Sequence, residues 1–172
     1  MAIDRATRLL FYKIYDAKTA ENAEDFIQHC ITFFQFIITH ILTNNGLEFT
    51  NALLKSKNGK PCTKSSKVDE LCKKENIAHR LTKPNTPKTN GMVERANGTI
   101  KNGTILKENY RNKEEMNNAL MAFLIHYIFH RRHGGLRKEL NVKTPYQAVE
   151  KWFELKPEPN EMSSRIPFNF KI

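Results

Sequence analysis

A strand–helix–strand pattern over residues 8–43 most constrains what this chain can fold into. Residues 8–15 are rich in aromatic and branched side chains, which predicts a strand. Residues 20–35 predict an amphipathic helix capped by Thr19, because their apolar side chains recur on one helical face. That face comprises Ala23, Phe26, Ile27, Cys30, Ile31 and Phe34. The apolar run at 36–43 then predicts a short buried strand, so an α/β fold is expected.

The rest of the chain predicts further helices and two more short strands. The expected helices are at 48–54, 67–75, 92–107, 113–130 and 144–155, and the expected strands are at 1–4 and 78–81. Pro84 and Pro87 make residues 82–91 irregular, since proline interrupts regular structure. The predicted architecture is an α/β domain with a mixed sheet at 1–152, followed by an irregular tail at 153–172.

Positive charge is concentrated in the middle of the chain. The net charge is +10. Residues 1–50 hold four basic and six acidic side chains, whereas residues 51–151 hold 21 basic and nine acidic ones. Such a concentration indicates a surface for a polyanion such as nucleic acid, and a solvated basic face without a partner is the alternative. The most apolar stretch, at 26–42, is interrupted by polar residues, which argues against a membrane span.

Several motifs in order along the chain resemble the integrase catalytic core that bacterial insertion-sequence transposases share with retroviral integrases. The motifs are LTNNGLEF at 42–49, HRLTKPNTPKTNGMVERAN at 79–97, RRHGGL at 131–136 and TPYQA at 144–148. The resemblance extends from about residue 2 to residue 152 and implies a ribonuclease H-like fold. It also implies DNA integration by metal-dependent strand transfer, and a protein of the bacterial cytoplasm.

The family's activity depends on two aspartates and one glutamate that hold two divalent ions, usually Mg²⁺ or Mn²⁺. Carried over to this chain, the glutamate is Glu94 and the second aspartate position holds Asn44. An amide oxygen can ligate a metal but brings no charge, and Mg²⁺ prefers charged oxygen ligands. We expect the first aspartate, with its strand, to precede this N-terminally truncated chain. Asp4 could replace that aspartate, but its surroundings match the hairpin after the second strand better.

The resemblance and the basic charge together predict a DNA-binding surface. Its residues are Lys83, Lys88, Asn90, Arg95, Asn97, Lys101, Arg131 and Arg132. Asn97 and Lys101 follow Glu94 by three and seven residues, which places the three on one helical face. For Glu94 itself, compensation of the helix dipole is the alternative to a metal-binding role. The family also implies association with a second copy of the chain or with an intact transposase.

Three hypotheses for function remain open at this point. The first is a strand transferase whose activity is impaired at Asn44 and at the first aspartate. The second is a non-catalytic remnant that binds DNA or associates with a transposase. The third is a non-functional reading frame of a decayed element, whose incomplete sheet would leave an apolar edge exposed to aggregation.

Overall fold

The computed structural model describes residues 1–34, 36–55, 59–60, 62–83 and 91–155. Its elements are, in order, β1 (Ala2–Ile3), β2 (Leu10–Phe11), α1 (Ala20–Phe33), β3 (His40–Thr43), α2 (Lys67–Lys74), β4 (Ala78–Leu81), α3 (Gly91–Gly103), α4 (Lys113–Phe129), α5 (Gly134–Leu140) and α6 (Pro145–Leu155). They form two units. One joins Met1–Tyr12 to the described residues from Met92 onward, and the other is Lys13–Gly91. No helix among the described residues is long and apolar enough to cross a membrane.

The described residues of the unit at Lys13–Gly91 form two helices and a pair of parallel strands. Strands β3 and β4 run parallel, from His40 opposite Ala78 to Thr43 opposite Leu81. Helix α1 lies against α2 and buries the apolar face predicted from its sequence, with Ile31 only half-buried. The cap is also as predicted, because the Thr19 hydroxyl accepts a hydrogen bond from the Asn22 amide at 3.1 Å.

In the other unit, the part that the structure describes begins with a hairpin and continues with four helices. Strands β1 and β2 are antiparallel, and the turn between them is closed by Asp4, whose carboxylate accepts hydrogen bonds from the Thr7 amide and hydroxyl at 2.7 Å. Helix α4 packs against α6 and β2, and α5 packs against α6. Leu136 and Ala148 are completely buried in this unit. The role of Asp4 is therefore that of a turn residue.

The fold class and most element positions are as predicted, but several boundaries differ. The strands predicted at 8–15 and 36–43 shrink to Leu10–Phe11 and His40–Thr43. Arg8 cannot belong to a strand because its φ is 63°. The helix predicted at 92–107 ends at Gly103.

The helix predicted at 48–54 is wrong. The amides of Phe49 and Thr50 both donate to the Gly46 carbonyl, which closes a single turn. The Asn51 side chain then donates to the Lys64 and Ser65 carbonyls, at 3.2 and 3.1 Å. Side-chain bonds of this kind compete with the helical ladder, so the segment stays a series of turns.

Helix α5 was not predicted from the sequence. It opens with Gly134 and Gly135, which are poor helix formers. Packing of the completely buried Leu136 compensates for them. At the other end of the chain, α6 continues to Leu155, and the rest of the predicted tail lies outside the described residues.

Candidate functional site

Asn44 directly follows strand β3, at the position predicted for it. Its side chain is exposed, and its Oδ1 accepts a hydrogen bond from the Gly46 amide at 3.0 Å. The neighbouring Asn45 side chain donates to the Thr82 carbonyl at 3.0 Å, which ties this turn to the segment after β4. Lys83 lies in that segment and is exposed. The two asparagines therefore hold the turn, and the Asn44 oxygen already has a hydrogen-bond partner.

A network of hydrogen-bonded polar side chains lies just before Asn44. The Thr43 hydroxyl lies 2.8 Å from His79 Nε2, and His79 Nδ1 lies 2.6 Å from Asp69 Oδ1. Asp69 in turn closes a capping box with Ser66 at the start of α2. The His79 side chain is only 6% exposed. This network connects the end of β3 to α2. It was not predicted from the sequence, although the Ser66-x-x-Asp69 spacing is typical of a capping box.

The order of acid, imidazole and hydroxyl in this network is also that of a nucleophilic triad. Here, however, Thr43 is buried within a strand and so is His79, which leaves no room for a substrate at the hydroxyl. Partial burial raises the pKa of Asp69, but the hydrogen bonds from His79 and Ser66 prevail and hold it below its usual value. We therefore interpret the network as a structural connection between β3 and α2.

Helix α3 presents the second group of predicted residues. Glu94 lies in its first turn and is exposed. Asn97 and Lys101 are also exposed on the same helical face. Ala96 and Ile100 are buried, and they face the other way. The side chain of Arg95 is exposed next to Glu94. Helix packing thus turns the predicted metal- and DNA-binding residues of α3 to the surface.

The remaining predicted residues have different outcomes. Arg131 and Arg132 follow the end of α4, the first half-buried and the second exposed. Lys88 and Asn90 lie outside the described residues. Asn44 and Lys83 belong to one unit and the α3 and α4 residues to the other.

A cluster of polar and aromatic side chains surrounds Arg8, and it could not be predicted while Arg8 was assigned to a strand. The Arg8 guanidinium lies 3.4 Å from both carboxylate oxygens of Glu139. Burial, together with the nearby charges of Arg131 and Arg8, lowers the pKa of His133 to about 4. The same two arginines oppose the effect of burial on Tyr127, whose pKa is raised to about 12. His133 and Tyr127 stack edge to face, with ring centroids 4.8 Å apart.

The residues in the described part of the chain do not fit a two-metal site. No group of three or more histidine, cysteine, aspartate or glutamate side chains in that part could hold a metal ion. Asn44 is neutral, and its oxygen accepts the Gly46 amide. Two divalent ions about 3.5–4 Å apart need several negative ligands to offset their mutual repulsion. We therefore assign no reaction step that depends on metal ions to these residues.

Sequence comparisons identify relatives over much of the chain. The family model described as "Integrase core domain" matches residues 75–145. A protein of Spiroplasma virus SpV1-C74 named "Putative integrase ORF3" is 32% identical over 151 residues, which cover 86% of this chain. The chain spans 40% of the length of that curated relative.

Solved structures resemble the fold. The catalytic core domain of BIV integrase matches with a TM-score of 0.62 and 19% identity, over 91% of this chain and 87% of that one. A chain of the simian T-cell lymphotropic virus intasome, in complex with PP2A regulatory subunit B56 gamma, matches with a TM-score of 0.63 and 21% identity. That match covers 85% of this chain and 45% of the other. At these identities, the likeness establishes the ribonuclease H-like fold.

Proposed function

We propose that this chain, which matches the integrase core domain model over residues 75–145, binds DNA but transfers DNA strands weakly or not at all. The observation that carries the proposal is the neutral Asn44 at the end of β3. The exposed polar face of α3 would contact the DNA backbone. The neutral Asn44 and the exposed polar face of α3 together favour the non-catalytic, DNA-binding hypothesis over an active strand transferase.

The DNA-binding part of the proposal rests on charge and exposure. The net charge is +10, with the excess between residues 51 and 151. On α3, Arg95, Asn97 and Lys101 are all exposed. Lysine and arginine displace counterions from phosphates, so binding that uses them weakens steeply as salt is added. The proposed DNA surface also includes Arg131 and Arg132 after α4.

The catalytic part of the proposal rests on the chemistry of Asn44. An aspartate at this position would supply one negative charge to a divalent ion, and an amide supplies none. Metal ions contribute several kcal/mol of charge stabilisation to reactions of this class, which corresponds to a factor of roughly 10²–10³ in rate or more. We therefore expect strand transfer by this chain to be slower, by at least that factor, than strand transfer by a chain with aspartate at this position.

A salt titration of DNA binding tests the proposal. Fluorescence anisotropy of a labelled duplex should show that affinity falls by roughly 10³ or more between about 50 and 200 mM salt if six or more phosphates are contacted. The double variant Arg95→Gln/Lys101→Gln should bind more weakly and show a shallower salt dependence. Lys18→Gln, which changes an exposed lysine in the acidic first segment, is the matched control and should behave as wild type. Binding that is unaffected by salt would contradict the proposal.

We also propose that the chain associates with a protein partner, either a second copy of itself or an intact transposase. Met121 and Ile125 are apolar, yet they are 44% and 40% exposed one turn apart on α4. Contiguous exposed apolar surface marks protein–protein contacts, and these two side chains would form part of such a surface. Sedimentation at increasing protein concentration tests this, and Met121→Gln/Ile125→Gln should shift the distribution toward the monomer. A wild-type chain that stays monomeric at all concentrations would contradict self-association.

A further inference from the structure

The hairpin turn directs the side chain of Arg8 into the protein. Arg8 has a φ of 63°, a left-handed conformation that is strained for a residue other than glycine. The turn imposes it, because Asp4 binds Thr7 through its carboxylate and its carbonyl accepts the Arg8 amide at 2.9 Å. The Arg8 side chain is only 16% exposed. A guanidinium group is thus fixed in a mostly buried position.

The charge of Arg8 is paired with a carboxylate that is itself largely exposed. Its contacts to the Glu139 carboxylate are 3.4 Å long, whereas charge-assisted hydrogen bonds are usually about 2.7–2.9 Å. The Glu139 side chain is itself 56% exposed, so water weakens the attraction. The guanidinium also lies 3.9 Å from the Met92 sulfur, which is a weak acceptor. Buried charges are normally paired more closely than this.

Arg131 precedes His133 by two residues and adds a second positive charge beside its ring. Both arginines act on the His133–Tyr127 ring pair and help to keep His133 neutral. The Nε2 atom of His133 is buried and has no hydrogen-bond partner among the described residues. Within the described part of the chain, no carboxylate forms an ion pair with Arg131. Among the described residues, the two arginines of the cluster therefore share one paired carboxylate, Glu139, which leaves an excess of positive charge.

The geometry and charge of this cluster suit a phosphate group. Guanidinium groups bind phosphate oxygens through paired donors, and arginine is favoured wherever such recognition occurs. Arg8 contacts Met92 in the first turn of α3, two residues before Glu94. A phosphate bound here would lie near the start of the exposed α3 face that we propose as the DNA surface.

We propose that Arg8 and Arg131 form a phosphate-binding site beside His133, and that its ligand is a phosphodiester of the DNA backbone. The inference rests on the proposed DNA-binding function and adds Arg8 to it. The alternative is that Arg8 serves only to link the hairpin to Glu139. The two differ in what phosphate does to His133, because a bound anion next to the ring stabilises its protonated form.

Histidine ring NMR of the full chain, titrated with acid, tests the proposal. His133→Gln identifies the resonance of His133. In the free protein the pKa of His133 is about 4. A saturating short DNA duplex should raise that pKa by one or more, which means that DNA binds the protonated protein at least tenfold more tightly. Inorganic phosphate should raise it in the same direction.

Two opposing variants separate the site from a purely structural role. Arg8→Gln should weaken phosphate binding severalfold. Glu139→Gln removes the competing carboxylate and should strengthen it severalfold, which no loss of folding could imitate. Arg5→Gln changes the same net charge at an exposed position of the same hairpin and should leave phosphate binding and the His133 titration as in wild type.

The outcomes distinguish this inference from the proposed function. If DNA binds but the pKa of His133 stays the same, the phosphate site is refuted and the DNA-binding function stands. If inorganic phosphate raises the pKa but DNA does not, the assignment to a phosphodiester is overturned. If DNA does not bind at all, the proposed function fails as well. Glu139→Gln that leaves phosphate affinity unchanged would also refute the site.

Discussion

Gly98 and Gly103 both lie in α3, yet replacement by alanine should change the stability of the protein in opposite directions. A methyl group at Gly98 would have no heavy atom within 4 Å. A methyl group at Gly103 would collide with the Phe123 ring, two of whose carbons would lie only 3.0 Å away. The same substitution thus enters open space at one position and a filled space at the other.

The expected magnitudes follow from these surroundings. Alanine is favoured over glycine inside a helix by about 0.8–1.0 kcal/mol, so Gly98→Ala should stabilise the protein by about that amount. Overpacking typically costs about 1–3 kcal/mol, and Gly103, the last residue of α3, gains little from helix propensity. Gly103→Ala should therefore destabilise by about 1–3 kcal/mol. The two variants should differ by roughly 2–4 kcal/mol.

Urea unfolding followed by circular dichroism measures both free energies of unfolding. Phe123→Leu gives a matched background, because a smaller side chain leaves space for the methyl group. In that background the cost of Gly103→Ala should shrink, whereas the gain from Gly98→Ala should stay constant, as expected for residues that do not share a contact. If Gly103→Ala stabilises the protein as much as Gly98→Ala, the packing of α3 against Phe123 is wrong.

Further predictions concern pH, burial and capping. The pKa of Asp69 is held low in the folded chain, so its contribution to stability is present above the unfolded pKa of about 3.9 and is lost as pH falls through the folded pKa. Asp69→Asn should therefore flatten the acid limb of the stability–pH curve, and an unchanged limb would contradict this. Leu136→Ala should cost about 2–5 kcal/mol in urea unfolding, since Leu136 is completely buried; a cost below about 1 kcal/mol would be inconsistent with that burial. Ser66→Ala should cost about 1 kcal/mol through its lost cap, and a neutral result would argue against the capping box.

Local sequence signals were sufficient for the long helices and for the family. The apolar spacing of α1 and its Thr19 cap are both found in the structure, because an amphipathic face and a cap are encoded within a few residues. The integrase resemblance is confirmed by the family model and by the fold likeness. These signals do not depend on contacts between distant parts of the chain.

Elements that depend on distant contacts could not be predicted in this way. Helix α5 forms despite two glycines because Leu136 is buried against other helices. The link from Thr43 through His79 to Asp69 depends on strand register and on where α2 lies. Arg8 was assigned to a strand because nothing in its neighbours specifies a left-handed turn. The functional roles of Asn44 and Glu94 were inferred by resemblance and remain proposals.

The most direct test of the account is a strand-transfer and nicking assay with the purified chain, under conditions in which it binds DNA. Glu94→Gln is the control, and both Mg²⁺ and Mn²⁺ are supplied. We expect salt-sensitive DNA binding with no nicked or joined product above the level of Glu94→Gln. Product formed by the wild-type chain and lost in Glu94→Gln would contradict it, because Asn44 would then be compatible with catalysis.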